Sequence, residues 1–155
     1  MADDFPGLGN SEMRAGPAAA APLPAPKLDL LSDTRTGDQR VLRVRVTPQR
    51  QVRLLTLHVD TSTATVRSAS VAGRDLPVEP GGGKWGFGIV FHAPPPEGVE
   101  VTLTLVPGAG AVSVRAMDAS DGLSGVPGFR ERPEGVGVVG SHSSEMLAVA
   151  RTYPL

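Results

Sequence analysis

Apolar residues in this chain recur at every second position, in runs too short for helices. In "KWGFGIVFH", the clearest case, Trp85, Phe87, Ile89 and Phe91 fall on one side and Gly86, Gly88, Val90 and His92 on the other. A period of two belongs to an extended strand with one face turned to a core, because successive side chains of a strand point to opposite faces. Burying a large apolar side chain contributes roughly 1.5–3 kcal/mol, so this stripe is expected to seed the core. The glycines opposite it are expected to let a neighbouring segment lie close.

The same alternation returns at intervals of about 8–12 residues, separated by turn chemistry. Leu42, Val44 and Val46 share one face of "RVLRVRVT" and Arg43 and Arg45 the other, and Pro48 ends the run. "QVRLLTLHVD" and "ATVRSASVAG" follow, then "VEVTLTLV" with Val101, Leu103 and Leu105 inward, and "AVSVRAMD" with Val112, Val114 and Ala116 inward. With "KLDLL" in front, about seven strands are predicted, joined by short links and without intervening helices. The fold class expected is all-β, an antiparallel β-sandwich of immunoglobulin-like or related Greek-key type. The cysteine pair of antibody domains has no counterpart, because the sequence contains no cysteine.

Ahead of the strands, "RAGPAAAAPLPAP" carries Pro17, Pro22, Pro24 and Pro26, which deny the alanines a lasting helix and favour an extended path. Residues 1–26 therefore read as a disordered linker or tail, and residues 27–155 as the sandwich domain. After Asp118, glycine and proline predict a long C-terminal loop leading to a short terminal segment. In that segment "SSEMLAVAR" has the makings of about two helical turns capped by Ser143 or Ser144.

The formal net charge of −1 offers no basic surplus for nucleic acid. No window approaches the roughly 20 apolar residues of a membrane-spanning helix, so direct membrane insertion is not expected. Asp3 and Asp4 stand where a secretory signal would be basic, so the chain made alone is expected to stay cytoplasmic.

Gly135, Gly137 and Gly140 have the spacing G-x-G-x-x-G. A dinucleotide loop also needs a βαβ unit and an acidic residue about 20 positions on, and neither is present before Leu155. His58 and Asp60 form a His-x-Asp pair on one strand face, a weak metal motif more often merely solvated. His142 stands among Ser141, Ser143, Ser144 and Glu145, but adjacent loop residues rarely converge as a triad, and neither Ser124 nor Ser141 lies in a G-x-S-x-G elbow. Arg130 and Arg132, interleaved with Glu131 and Glu134, are expected to form local ion pairs rather than a carboxylate clamp. Asp118 and Asp121 lack the order of a calcium loop. No catalytic, cofactor-binding or metal-ligating residue is assigned.

Three stretches, "LPAPKLDLLSDTRTGDQRVLRVRV", "FHAPPPEGVEVTLTL" and "DGLSGVPGFRERPEGVGVVGSHSSEMLAVARTY", together resemble the C-terminal region of bacterial, especially actinomycete, membrane-anchored zinc exopeptidases of the M-28 family. The eukaryotic relatives are of the endoplasmic reticulum metallopeptidase and vacuolar membrane protease types. The resemblance implies a non-catalytic accessory domain on the extracytoplasmic face of a membrane. Its partners would be the peptidase and membrane domains of a parent protein, in cis or from a split gene. Zinc is then expected only in the peptidase domain, since the Glu-Glu pair of that family occurs nowhere in this sequence. The alternative is a stand-alone ligand-binding module for carbohydrate or peptide, for which Trp85 is the residue to watch.

Overall fold

The computed structural model describes residues 19–79, 81–137 and 145–155, together with Asp4, Pro6, Gly16 and Pro17. Among them nine strands occur: β1 (Lys27–Thr36), β2 (Gln39–Thr47), β3 (Leu54–Val59), β4 (Ala64–Val71), β5 (Arg74–Leu76), β6 (Phe87–His92), β7 (Val99–Pro107), β8 (Ser113–Asp121) and β9 (Met146–Pro154). They form two antiparallel sheets, one in the order β1-β2-β7-β4-β5 and the other β6-β3-β8-β9, in a sandwich that does not close into a barrel. β2 pairs with β7 in the first sheet and β3 with β8 in the second. The β2–β3 and β7–β8 connections both cross between sheets, so these four strands interlock and join the two sheets at their centres.

Inward side chains follow the expected parity. Leu42, Val44 and Val46 of β2 and Val101, Leu103 and Leu105 of β7 meet Leu55, Leu57 and Val59 of β3 and Val112, Val114 and Ala116 at β8, all 0 % exposed. On the outer face of the first sheet, Arg43 and Arg45 both pair with Glu100 of β7. Exposed pairs of this kind contribute about 0–1 kcal/mol, so the interior carries the stability. Leu31 to Gln39 are exposed throughout, the stretch to Arg35 as the sheet edge beside β2 and Thr36 to Gln39 as a short hairpin tip past Arg40, where β7 pairing begins. At its root Arg40 is buried, donating from Nε and Nη2 to Asp33 (2.9 and 2.8 Å) and from Nη1 to the Leu155 carbonyl (3.1 Å).

Four expectations need correction. About seven strands become nine because the chain turns at Ala72 and Gly73, both with positive φ, and returns as the short β5, and because the terminal segment is itself a strand. "MLAVAR" is not helical: β9 pairs along the whole of β8, from Ser113↔Pro154 to Asp121↔Met146. Unpaired backbone groups along β8 outweigh the modest helix propensity of Met, Leu and Ala. β8 also runs to Asp121, so the long loop starts three residues later than the turn residues imply.

The fourth correction concerns Trp85. Phe87 and Ile89 are buried and Phe91 packs against the core, but Trp85 precedes β6, is half-buried and lies outside the core cluster. Its ring sits under two cations, Lys84 Nζ at 5.3 Å and Arg115 Cζ at 5.9 Å from the centroid. The backbone of Gly86 approaches Gly81 (Gly81 N to Gly86 O, 3.0 Å) and turns the chain just before the inward stripe begins.

Replacing Leu103 by alanine is expected to lower unfolding stability in urea by about 2–5 kcal/mol, as buried leucine truncations do. Val90→Ala, on the exposed reverse of β6, should change it by no more than about 0.5 kcal/mol.

Candidate functional site

The connections β2–β3, β6–β7 and β8–β9 gather at one end of the sandwich. Pro48 stops β2, and the following residues carry the chain to the opposite sheet. Within that link Arg50 turns inward and donates from Nη2 to Asp118 Oδ1 at 2.5 Å and to the Leu147 carbonyl at 3.2 Å. Three elements are thus tied together: the crossing link, β8 and β9. Asp118 is sealed, with its side chain 0 % exposed, and Arg50 nearly so at 13 %.

Arg50 Nε and Nη1 and Asp118 Oδ2 have no hydrogen-bond partner in the protein, which makes the pair costly for a buried ion pair. Burial pushes the Asp118 carboxyl up to about 6 against the opposing pull of Arg50. Beside it Arg53 Nη1 meets Asp121 Oδ1 at 3.0 Å. Both aspartates therefore face arginine.

Two clefts open at this end on either side of the turn Ala93–Glu97. One, of about 770 Å³, runs past Arg45, Val90, His92 and Glu100; the other, of about 590 Å³, passes Pro48, Arg50, Val52 and Pro96. The long loop is closed at its mouth by Gly122 N donating to the Glu145 carbonyl at 2.9 Å. Arg132 pairs with Glu145, not with its neighbours Glu131 and Glu134.

His58 lies elsewhere, on the face of β3 turned away from the core. Its ring covers Gly88, where a Cβ would fall 2.5 Å from Nδ1, so the glycine opposite the aromatic stripe does admit a close neighbour. Burial, with Arg115 adding, pushes the imidazole down to about 4. Asp60 does not join it: Oδ1 accepts from Ser62 N (3.0 Å) and Ser62 Oγ (2.6 Å), capping the β3–β4 turn. Among the described residues no three His, Cys, Asp or Glu side chains come together as a metal site.

Gly135 and Gly137 lie in the loop, while Gly140, Ser141, His142, Ser143 and Ser144 fall outside the described residues. The next described element is strand β9, which provides no helix N-terminus for a phosphate. Sequence reasoning missed the Arg50–Asp118 pair. Its signal was available in the parity of β8, since Asp118 continues the inward series Val112, Val114, Ala116 and an inward carboxylate requires a partner.

No protein-family model matches the chain, and no curated protein or solved structure matches it.

Two buried groups with large shifts, Asp118 and His58, bear on stability with opposite signs. Asp118, raised in the folded state from 3.8 to about 6, contributes stability that is full below pH 3.8 and is lost as pH rises to about 6. His58, lowered from 6.5 to about 4, contributes stability that is full above pH 6.5 and is lost as pH falls to about 4. Each amounts to about 3 kcal/mol across its window, and the two slopes oppose one another in the native chain. Urea unfolding from pH 4 to 6.5 should depend less on pH for the native chain than for either variant, with His58→Gln shifting the slope toward a fall with pH and Asp118→Asn toward a rise. Parallel profiles for all three would refute the assignment.

Proposed function

We propose that this chain is a non-catalytic accessory sandwich of a membrane-bound zinc exopeptidase of the M-28 type, stabilising or shielding the peptidase domain. One observation carries the reading. The three stretches that resemble that family's C-terminal region converge around one end of the fold. Gly98 of the second stretch packs on the end of the first, where a Cβ would fall 2.5 Å from the Val46 carbonyl, and the Leu147 carbonyl of the third accepts from Arg50 in the link that follows the first. Segments distant in sequence thus build one surface, flanked by two clefts, of the kind a neighbouring domain would cover.

The finer fold assignment belongs to the same reading. The orders β1-β2-β7-β4 and β3-β8-β9 reproduce the ABED and CFG sheets of an immunoglobulin constant-type sandwich. β5 and β6 then form an insertion between the fourth and fifth strands of that plan.

The purified chain is expected to release no amino acid from peptides in the presence of zinc; release abolished by a chelator would overturn the non-catalytic reading. The DNA immediately upstream of the Met1 codon is expected to encode membrane spans preceded by zinc ligands, and unrelated coding sequence there would remove the parent.

The ligand-binding alternative is favoured by Trp85 alone, which stands outside the core between Lys84 and Arg115. Titration of its fluorescence with oligosaccharides and with peptides separates the two: a saturable change supports a module, and an unchanged signal supports the accessory role.

A further inference from the structure

A two-layer sandwich leaves the outer face of each sheet to water, yet the outer face of the second sheet is sealed along its two central strands. Thr56 and His58 of β3 are 4 % and 6 % exposed, and Met117 and Ala119 of β8 are 1 % and 0 %. All four are on the side opposite Leu55, Leu57 and Ala116, and none belongs to the contiguous core cluster. Val90 of β6, in the same cross-strand row as Thr56 and Met117, is 48 % exposed, so the cover is confined to the middle of the sheet. Thr56 Oγ1 and His58 Nε2 have no hydrogen-bond partner beneath it.

Arg115 belongs to this face, in register with His58 and Thr152. Its Nη1 donates to Thr152 Oγ1 at 2.8 Å, its guanidinium borders the Trp85 ring at 5.9 Å, and its Nε donates to the backbone carbonyl of Asp4 at 2.7 Å. Two residues on, Pro6 is buried.

We propose that the outer face of the second sheet is a peptide-docking surface, and that its occupant is the chain's own N-terminal segment, the stretch bearing Asp4 and Pro6, held by Arg115 and seated over Thr56, His58 and Met117. The chemistry suits such an occupant. Arg115 reads a main-chain carbonyl, and a proline ring buries apolar surface without leaving an N–H unpaired. Reach is ample, because an extended chain covers about 3.3–3.6 Å per residue and the tether between Asp4 and Lys27 can cross a small sandwich. Attachment keeps the segment at an effective concentration on the order of millimolar, so a weak contact suffices.

The absence of cysteine allows a clean test on the full chain. With a nitroxide on Asp3→Cys, amide signals of residues 56–58 and 115–117 should lose most of their intensity relative to the reduced label, while those of β1 and β5 keep theirs. Adding Arg115→Ala should restore the lost signals. Equal broadening over both sheets, or none, would overturn the proposal. So would broadening that arises only between labelled and unlabelled molecules, since the occupant would then be a second copy. Should the Arg115 variant fail to fold, Pro6→Glu provides an independent reading: Met117 should be oxidised by peroxide several-fold faster than in the native chain, and an unchanged rate would refute the docking.

Discussion

The interlock of β2 with β7 and β3 with β8 governs this structure. Because each crossing link carries the chain from one sheet to the other, the inward residues of four strands must all be apolar together or the two layers cannot meet. Leucine and valine occupy nearly every such position. Their contact is non-directional, so it specifies that the sheets pack but does little to fix the angle or the ends. Those are left to polar groups with defined geometry: Arg50 on Asp118 and the Leu147 carbonyl, and Arg40 on Asp33 and the Leu155 carbonyl.

What was legible in the sequence follows from that division. Alternation in "RVLRVRVT" and "VEVTLTL" reports directly on which side chains go inward, and Leu42, Val44, Val46, Val101, Leu103 and Leu105 are all buried in the core. β9 was not legible because its partner decides its conformation: "MLAVAR" has no strong local preference, and only the open flank of β8 makes it a strand. Trp85 was misplaced because alternation was extended one step past Gly86, where the backbone turns. For the site, the inward Asp118 was in view while its partner sat in a link whose path periodicity does not predict.

Two of the buried ionisable groups, Asp118 and His58, lie on the second sheet but on its opposite faces. One is held by a single arginine and the other lies over a glycine, with its nearest cation, Arg115, reaching the N-terminal stretch. The second sheet is therefore chemically two-sided. The outer face of the first sheet carries exposed ion pairs, Arg43 and Arg45 with Glu100 and Lys27 with Asp29.

The β1–β2 hairpin stands clear of the body beyond Arg40, with a turn at Gly37 whose positive φ fits glycine. Its root is pinned by the Arg40–Asp33 fork, so bending of the tip stops there. Foreign sequence grafted between Gly37 and Asp38 would leave the domain from a single exposed strand pair, Thr36 with Gln39, one step beyond the buried Arg40 anchor.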